Sequence, residues 1–302
     1  MGERVEIVDV GPRDGLQSQP QLLDTDHKLA FIERLIDAGV QRLEVASFVS
    51  PKRVPQMADA DTIIARLPRR PGVRYIGLVL NEQGFERALS CGVEQINCAA
   101  VATDSFCLRN QGKTAGEMLD VIAGLARRAQ QEKKFFGITI AAAFGCPFEG
   151  EVAPATVVAI AQRLHAMGVD EIALADTIGV AVPSEVKRLV EAVRARIGQT
   201  PLRMHFHNTR GTGIGNVYAA IESGVRIFDA SCGGVGGCPF APGATGNVGT
   251  EDVLYLLHRM GFDTGIDINK IVATSKWLEG PLAAPMQASM TRASIFPPPR
   301  AA

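Results

Sequence analysis

Short apolar, β-branched runs alternate with segments of helical period along almost the whole chain. The runs are VEIVDV (5–10), RLEVAS (42–47), VRYIGLVL (73–80), EQINCAAV (94–101), FFGITIAAA (135–143), DEIALAD (170–176), PLRMHFHN (201–208) and RIFDAS (226–231). A helix-like segment follows each. DTDHKLAFIERLIDAG has an Asp or Thr cap and a terminal glycine, and APATVVAIAQRLHAMG ends the same way. Several helices stop at AGV, CGV, MGV or SGV. A left-handed glycine cap followed directly by the next strand is the short return of a parallel sheet. Eight such units predict an α/β protein, a closed (β/α)8 TIM barrel over 1–262, with additional C-terminal helices and a tail packed on it over 263–302. An open doubly wound sheet is the alternative, but no GxGxxG follows the first strand to support a dinucleotide fold.

The bulk numbers fit one large domain. The chain has 302 residues, 46% hydrophobic and 21% charged, enough for a sizeable core. Its 31 basic and 32 acidic residues give a formal net charge of −1, which points to neither a nucleic-acid nor an anionic-membrane partner. Apolar runs fall far short of the roughly 20 residues of a membrane span. The opening MGERVEIVDVG enters a strand pattern at once, leaving no room for a signal or transit sequence, so a cytoplasmic location is expected. Six cysteines show no CxxC spacing, and free thiols are expected rather than a zinc knuckle or a disulfide framework. The helices after 262 are the expected contact of a homodimer or higher homo-oligomer.

In a barrel of this kind the active site lies at the C-terminal ends of the strands, so polar residues there are the candidates. The first run leads into GPRDGLQ with Arg13 and Asp14; the second carries Glu44 and reaches Ser47; the sixth ends in Asp176; the seventh carries His205 and His207. Side chains at i and i+2 of a strand share a face, so both imidazoles can converge on one ion. With Asp14 they form a mixed oxygen and nitrogen set suited to a divalent cation, Mg2+, Mn2+ or Zn2+, with positions left open. Two histidines on one strand face are also compatible with plain packing. The glycine-rich CGGVGGCPFAPGATGNVGTED contains Asn247, whose side-chain oxygen is a further candidate ligand. The same loop reads equally as a flexible connector or a phosphate cradle. Cys238, flanked by glycine and proline above the mouth, is a candidate acid or base. Arg13 is either half of a structural ion pair or a donor to a developing enolate. Glu44 and Asp176 sit where they can orient Arg13, a bound water or a substrate hydroxyl.

Longer motifs carry a resemblance. VDVGPRDGLQ, ASFVSPKRVPQMAD, GCPFEG, ADTIGVAVP and GGVGGCPFAPGATGN…TED occur in this order from about residue 3 to the end of the eighth helix, and together they resemble the 3-hydroxy-3-methylglutaryl-CoA lyases, metal-dependent lyases on TIM barrels. Related condensing enzymes share an early Arg-Asp-Gly followed by Glu-Gln, where this chain has RDGLQ, which favours the lyase branch. The resemblance implies a divalent metal held by Asp14, His205, His207 and Asn247, a charge-stabilising Arg13, and Cys238 as catalytic thiol in a mobile loop. It places Glu44, Asp176 and Glu251 as supporting or substrate-contacting groups. Gln17, Ser47 and Asn110, together with Lys52, are the remaining candidate contacts of an acyl-CoA substrate.

The implied reaction is a retro-Claisen cleavage of a carboxylate-bearing 3-hydroxyacyl-CoA, giving acetyl-CoA and, for the family's own substrate, acetoacetate. This chain departs from the family where the lyases read His-Cys-His-Asp-Thr and an aromatic residue: it has HFHNTRG, with Phe206, Asn208 and Arg210. The altered charge is expected to retune the acyl part, which makes citramalyl-CoA, cleaved to pyruvate and acetyl-CoA, the alternative substrate. A non-catalytic acyl-CoA-binding barrel and a synthase forming the same bond are the other readings. A separate regulatory domain has no room, since only about 40 residues follow the eighth helix and a domain needs at least about 50.

Overall fold

The computed structural model describes residues 2–237, 246–294 and 296. Eight parallel strands close into a barrel in sequence order: β1 (Glu6–Asp9), β2 (Arg42–Ser47), β3 (Arg74–Val79), β4 (Gln95–Val101), β5 (Phe135–Ala141), β6 (Glu171–Asp176), β7 (Leu202–Phe206) and β8 (Ile227–Ala230). β1 pairs with both β2 and β8, which excludes the open sheet. Every expected strand is present, its ends within three residues of the hydrophobic run that marks it.

The helices are α1 (Thr25–Asp37), α2 (Ala60–Arg66), α3 (Glu82–Ser90), α4 (Asp104–Gln111), α5 (Ala115–Gln131), α6 (Pro154–Ala166), α7 (Pro183–Ile197), α8 (Gly213–Glu222), α9 (Thr250–Arg259) and α10 (Ile268–Leu282). α1 begins on Asp24, whose carboxylate accepts from His27 N at 2.8 Å, so Asp rather than Thr is the cap. The AGV, CGV, MGV and SGV returns all hold their glycine at positive φ. At Gly39 the φ is 103°, and a Cβ there would sit 2.4 Å from the carbonyl oxygen of Gly265, so only glycine fits. The segment after 262 adds α10, tied to the end of α1 by Asp267 N on Ala38 O (2.8 Å) and Lys270 Nζ on Asp37 O (3.0 Å).

Apolar side chains of the strands and helices form one continuous core between the two layers. Inside the barrel the filling differs from the branched aliphatic layers usual in this fold. Val8, Val10 and Ile76 make only a small separate cluster there. Much of the remainder is charged. Arg42 on β2 reaches across to Glu171 on β6 with two bonds, 2.7 and 3.0 Å, and its Nε donates to Gln95 on β4 at 2.8 Å. Arg203 on β7 donates to Asn97 on β4 at 3.3 Å and lies 3.2 Å from Glu171 and 3.3 Å from Asp229. Contacts between strands that are not neighbours have to run through the interior, so these side chains plug the barrel below its mouth. Among the described residues no helix is long and apolar enough to cross a membrane.

Candidate metal centre and active site

The chain leaves β1 through a π-helical turn, Gly11–Gly15, in which Gly15 N donates to Val10 O at 3.1 Å. Sequence patterning assigns no element to this stretch, because a single wide turn has no periodic signature. Such turns cluster at functional sites, and this one points Arg13 and Asp14 over the mouth. Buried Asp9 clamps it, accepting from Gly11 N (2.9 Å), Cys232 N (3.2 Å) and Thr250 Oγ1 (2.7 Å). A register irregularity in β2 between Glu44 and Ala46 lies beside it. Bulges of this kind re-aim side chains, and the Glu44 carboxylate meets Arg13 Nη2 at 2.6 Å.

Asp14, His205 and His207 converge, each offering one ligand atom within 4.8 Å of the others. Asn247 joins them through Nδ2 on Asp14 Oδ2 at 2.9 Å, and the backbone of Asn247 bridges to that of His207. The approach is close: Gly236 has φ 147°, and a Cβ there would stand 2.5 Å from Asn247 Nδ2. Arg13 Nη1 holds the other Asp14 oxygen at 2.8 Å. Burial raises the Asp14 carboxyl, but the Arg13 charge, both imidazoles and the Asn247 amide outweigh it and bring it down to about 2. Burial lowers His205, yet Asp229 and Asp14 reverse this and raise it. Burial and the neighbouring His205 push His207 down to about 4.

Among the described residues, His207 Nδ1, Asn247 Oδ1, Glu44 Oε1 and Arg13 Nε are buried and make no well-formed hydrogen bond. Leaving such atoms unpaired is costly. An imidazole nitrogen and an amide oxygen are good donors to a hard or borderline cation, so the residues present fit a divalent metal bound by Asp14, His205, His207 and Asn247.

A cavity of about 480 Å³ opens beside the cluster, a size usual for small-molecule sites. Arg13, Asp14, Gln17, Glu44, Asn110, His205 and His207 line it. Gly237 also lines it; Cys238, the next residue, lies outside the described residues. The tail over 297–302 does so too. The other described cysteines are free thiols.

Four expected contacts stand elsewhere. Asp176 is taken up by its own loop, its two oxygens accepting Val180 N (2.9 Å) and Ala181 N (3.1 Å). Ser47 is fully buried, its Oγ facing Val49 N at 3.4 Å. Glu251 is fully buried behind the loop, binding Gly233 N and Ser275 Oγ (2.5 Å), and is thus a structural anchor rather than a contact of substrate. Lys52 is exposed, and the neighbouring Arg53 lines the cavity instead. In HFHNTRG, Asn208 Oδ1 accepts from Gly213 N, the first residue of α8 (3.0 Å), and Arg210 binds the carbonyls of Ile178 and Gly179. Neither lines the cavity, so the altered charge does not act by direct contact with an acyl group.

Residues the sequence did not single out also face the cavity: Asn97, Arg109, Thr139 and Asp229. The signal for three of them was present. Asn97, Thr139 and Asp229 are polar side chains in the middle of strands expected to be apolar, a misfit that marks an interior site.

Comparison with known proteins agrees with this geometry. The HMGL-like family model matches residues 4–278. An (R)-citramalyl-CoA lyase of Chloroflexus aurantiacus is 42% identical over 98% of this chain and 96% of its own length. A hydroxymethylglutaryl-CoA lyase of Pseudomonas mevalonii is 41% identical, with 89% of each chain covered. The structure of an HMG-CoA lyase from Acinetobacter baumannii in complex with coenzyme A and 3-methylmalate superposes with a TM-score of 0.93 at 37% identity, covering 97% of this chain and 96% of the other. A family model that spans nearly the whole barrel, and relatives above 40% identity along most of it, show that the chain belongs to the HMGL-like family.

Proposed function

We propose that the protein is a divalent-metal-dependent carbon–carbon lyase that cleaves 3-hydroxy-3-methylglutaryl-CoA to acetyl-CoA and acetoacetate. The observation that carries this is the convergence of a carboxylate, two imidazoles and a doubly anchored guanidinium on one cavity at the barrel mouth. Relatives named for this reaction support it. A divalent cation held by Asp14, His205, His207 and Asn247, Mg2+ or Mn2+ by its mixed donor set and Zn2+ as a third option, supplies a Lewis acid that lowers the pKa of a bound substrate hydroxyl.

The residues of the chain do the rest. Once the C3 hydroxyl has lost its proton, the C2–C3 bond breaks: C3 becomes the ketone of acetoacetate, and the electron pair passes to C2 as the thioester enolate. Arg13 stabilises that enolate. Its Nη atoms are fixed by Asp14 and Glu44, so the charge is pre-oriented and needs no reorganisation as the negative charge grows. Protonation of C2 yields acetyl-CoA. The Cys238 thiol is the candidate acid, following a residue, Gly237, that lines the cavity.

Citramalyl-CoA is the second reading, favoured by the 42% identity to a lyase of that name. Mass-spectrometric product analysis with each thioester, with Mg2+ or Mn2+ and with chelator, separates them. Chelator-sensitive acetoacetate establishes the first, pyruvate from citramalyl-CoA alone the second. Cleavage of neither refutes the proposal and leaves an acyl-CoA-binding barrel.

A further inference from the structure

His205 meets a buried carboxylate on the side away from the proposed cation. Its Nδ1 lies 3.1 Å from Asp229 Oδ2 on the neighbouring strand, both residues almost fully buried. The pairing is built into the sheet, because β7 and β8 run in register with His205 opposite Asp229. One turn of the pleat below, Arg203 shares the same face of β7, and its Nη1 stands 3.3 Å from the other oxygen, Asp229 Oδ1. The guanidinium is itself held, donating to Asn97 and lying against Glu171.

We infer that Asp229 is a positioning residue for the cation site: it accepts the Nδ1–H of His205 and fixes the tautomer that keeps the lone pair on Nε2. This rests on the metal reading above. A neutral imidazole carries one proton on either nitrogen, and only the nitrogen without it can bind a cation. With Nδ1 committed to Asp229, Nε2 is left to face Asp14 and His207. Carboxylates in this relation to a ligating histidine raise its basicity and fix its ring, and losing one costs 10–100-fold in metal affinity. The competing explanation is that Asp229 serves only as counter-ion to Arg203.

Two readouts separate these. In metal-free full-length protein at alkaline pH, side-chain 15N spectra of labelled histidine report the tautomer directly. We expect His205 as the Nδ1–H form in the wild type and a mixture in Asp229→Ala. Mn2+ titrated calorimetrically into the same proteins should bind about 10–100-fold more weakly to Asp229→Ala. Asp229→Asn retains an acceptor oxygen, so its loss should be smaller, and it serves where the alanine variant does not fold. Arg203→Met should leave the Nδ1–H form intact and Mn2+ affinity within about threefold, because the His205–Asp229 bond survives. An unchanged tautomer in both Asp229 variants overturns the inference, as does Mn2+ affinity that falls equally in Arg203→Met. Wild-type protein that binds no Mn2+ refutes the metal reading instead, while the tautomer spectra still decide the role of Asp229.

Discussion

The charged interior allows a sharp stability prediction. Glu171 accepts both terminal nitrogens of Arg42 and lies 3.2 Å from Arg203, and all three side chains are at most 3% exposed. Glu171→Gln keeps the shape and one acceptor but removes the charge, leaving Arg42 and Arg203 in a dry barrel without the carboxylate they share. Breaking a buried pair from one side costs about 3–5 kcal/mol, most of it the desolvation of the abandoned charge. Unfolding entropy of about 2.1 cal/mol/K per residue, applied to 302 residues, gives about 0.6 kcal/mol/K. The melting temperature should therefore fall by about 5–8 °C, read by calorimetry and checked by urea unfolding at constant pH. Arg42→Met with Glu171→Met removes both charges together and should recover most of the loss. A shift under about 1 °C for Glu171→Gln would show that water reaches and screens this layer, and that the barrel floor is not a dry ion cluster.

Three further outcomes are expected. His205→Ala should abolish turnover and most Mn2+ binding while circular dichroism and the cooperative melt persist; full activity would remove His205 from the metal set. Cys238→Ser should lower kcat by at least about 100-fold, the scale of a general-acid step, with Mn2+ affinity unchanged in calorimetry, and a rate near wild type would exclude the thiol as acid. Burial raises Glu251 to about 7, so between about pH 4.5 and 7 the folded state holds a proton that the unfolded chain lacks. Stability should then drop as pH climbs through that window, by up to about 1.4 kcal/mol per pH unit, whereas Glu251→Gln lacks this component. Parallel urea-stability curves for the two proteins between pH 5 and 7 would contradict the shift.

The barrel was legible because its signals are local. Each strand is an apolar run, and the AGV, CGV, MGV and SGV returns carry a glycine at positive φ, as at Gly39. The convergence of Asp14, His205 and His207 was legible for the same reason: i, i+2 spacing on a strand and a polar pair just after the first one. What stayed hidden depends on partners distant in sequence. The strand LRMHF puts Arg203 and His205 on one face, but nothing in it says that the face is the barrel interior or that Asp229 and Glu171 wait there. Asp176 and Ser47, at the strand ends where the sequence places them, show the converse effect. Position at a strand end nominates a side chain, yet a carboxylate at that point is equally able to fold back onto its own loop, as Asp176 does on Val180 and Ala181.

The interior network also explains how a barrel can keep a carboxylate ionised at its mouth. Charges removed from water must be paired, and here they alternate. Arg42 meets Glu171, Glu171 meets Arg203, Arg203 meets Asp229, and Asp229 meets the imidazole of His205. Arg13 in turn stands between Asp14 and Glu44. Three guanidiniums (Arg13, Arg42, Arg203) thus face four carboxylates (Asp14, Glu44, Glu171, Asp229), an excess of one negative charge, while Glu6 at the floor is matched by Arg74 at the rim. A divalent ion on the proposed ligands would add two positive charges beside the cavity, which would favour a carboxylate-bearing substrate. On this account the polar filling costs some of the packing energy that aliphatic layers give such barrels, and in return it holds Arg13 and Asp14 charged and fixed at the mouth.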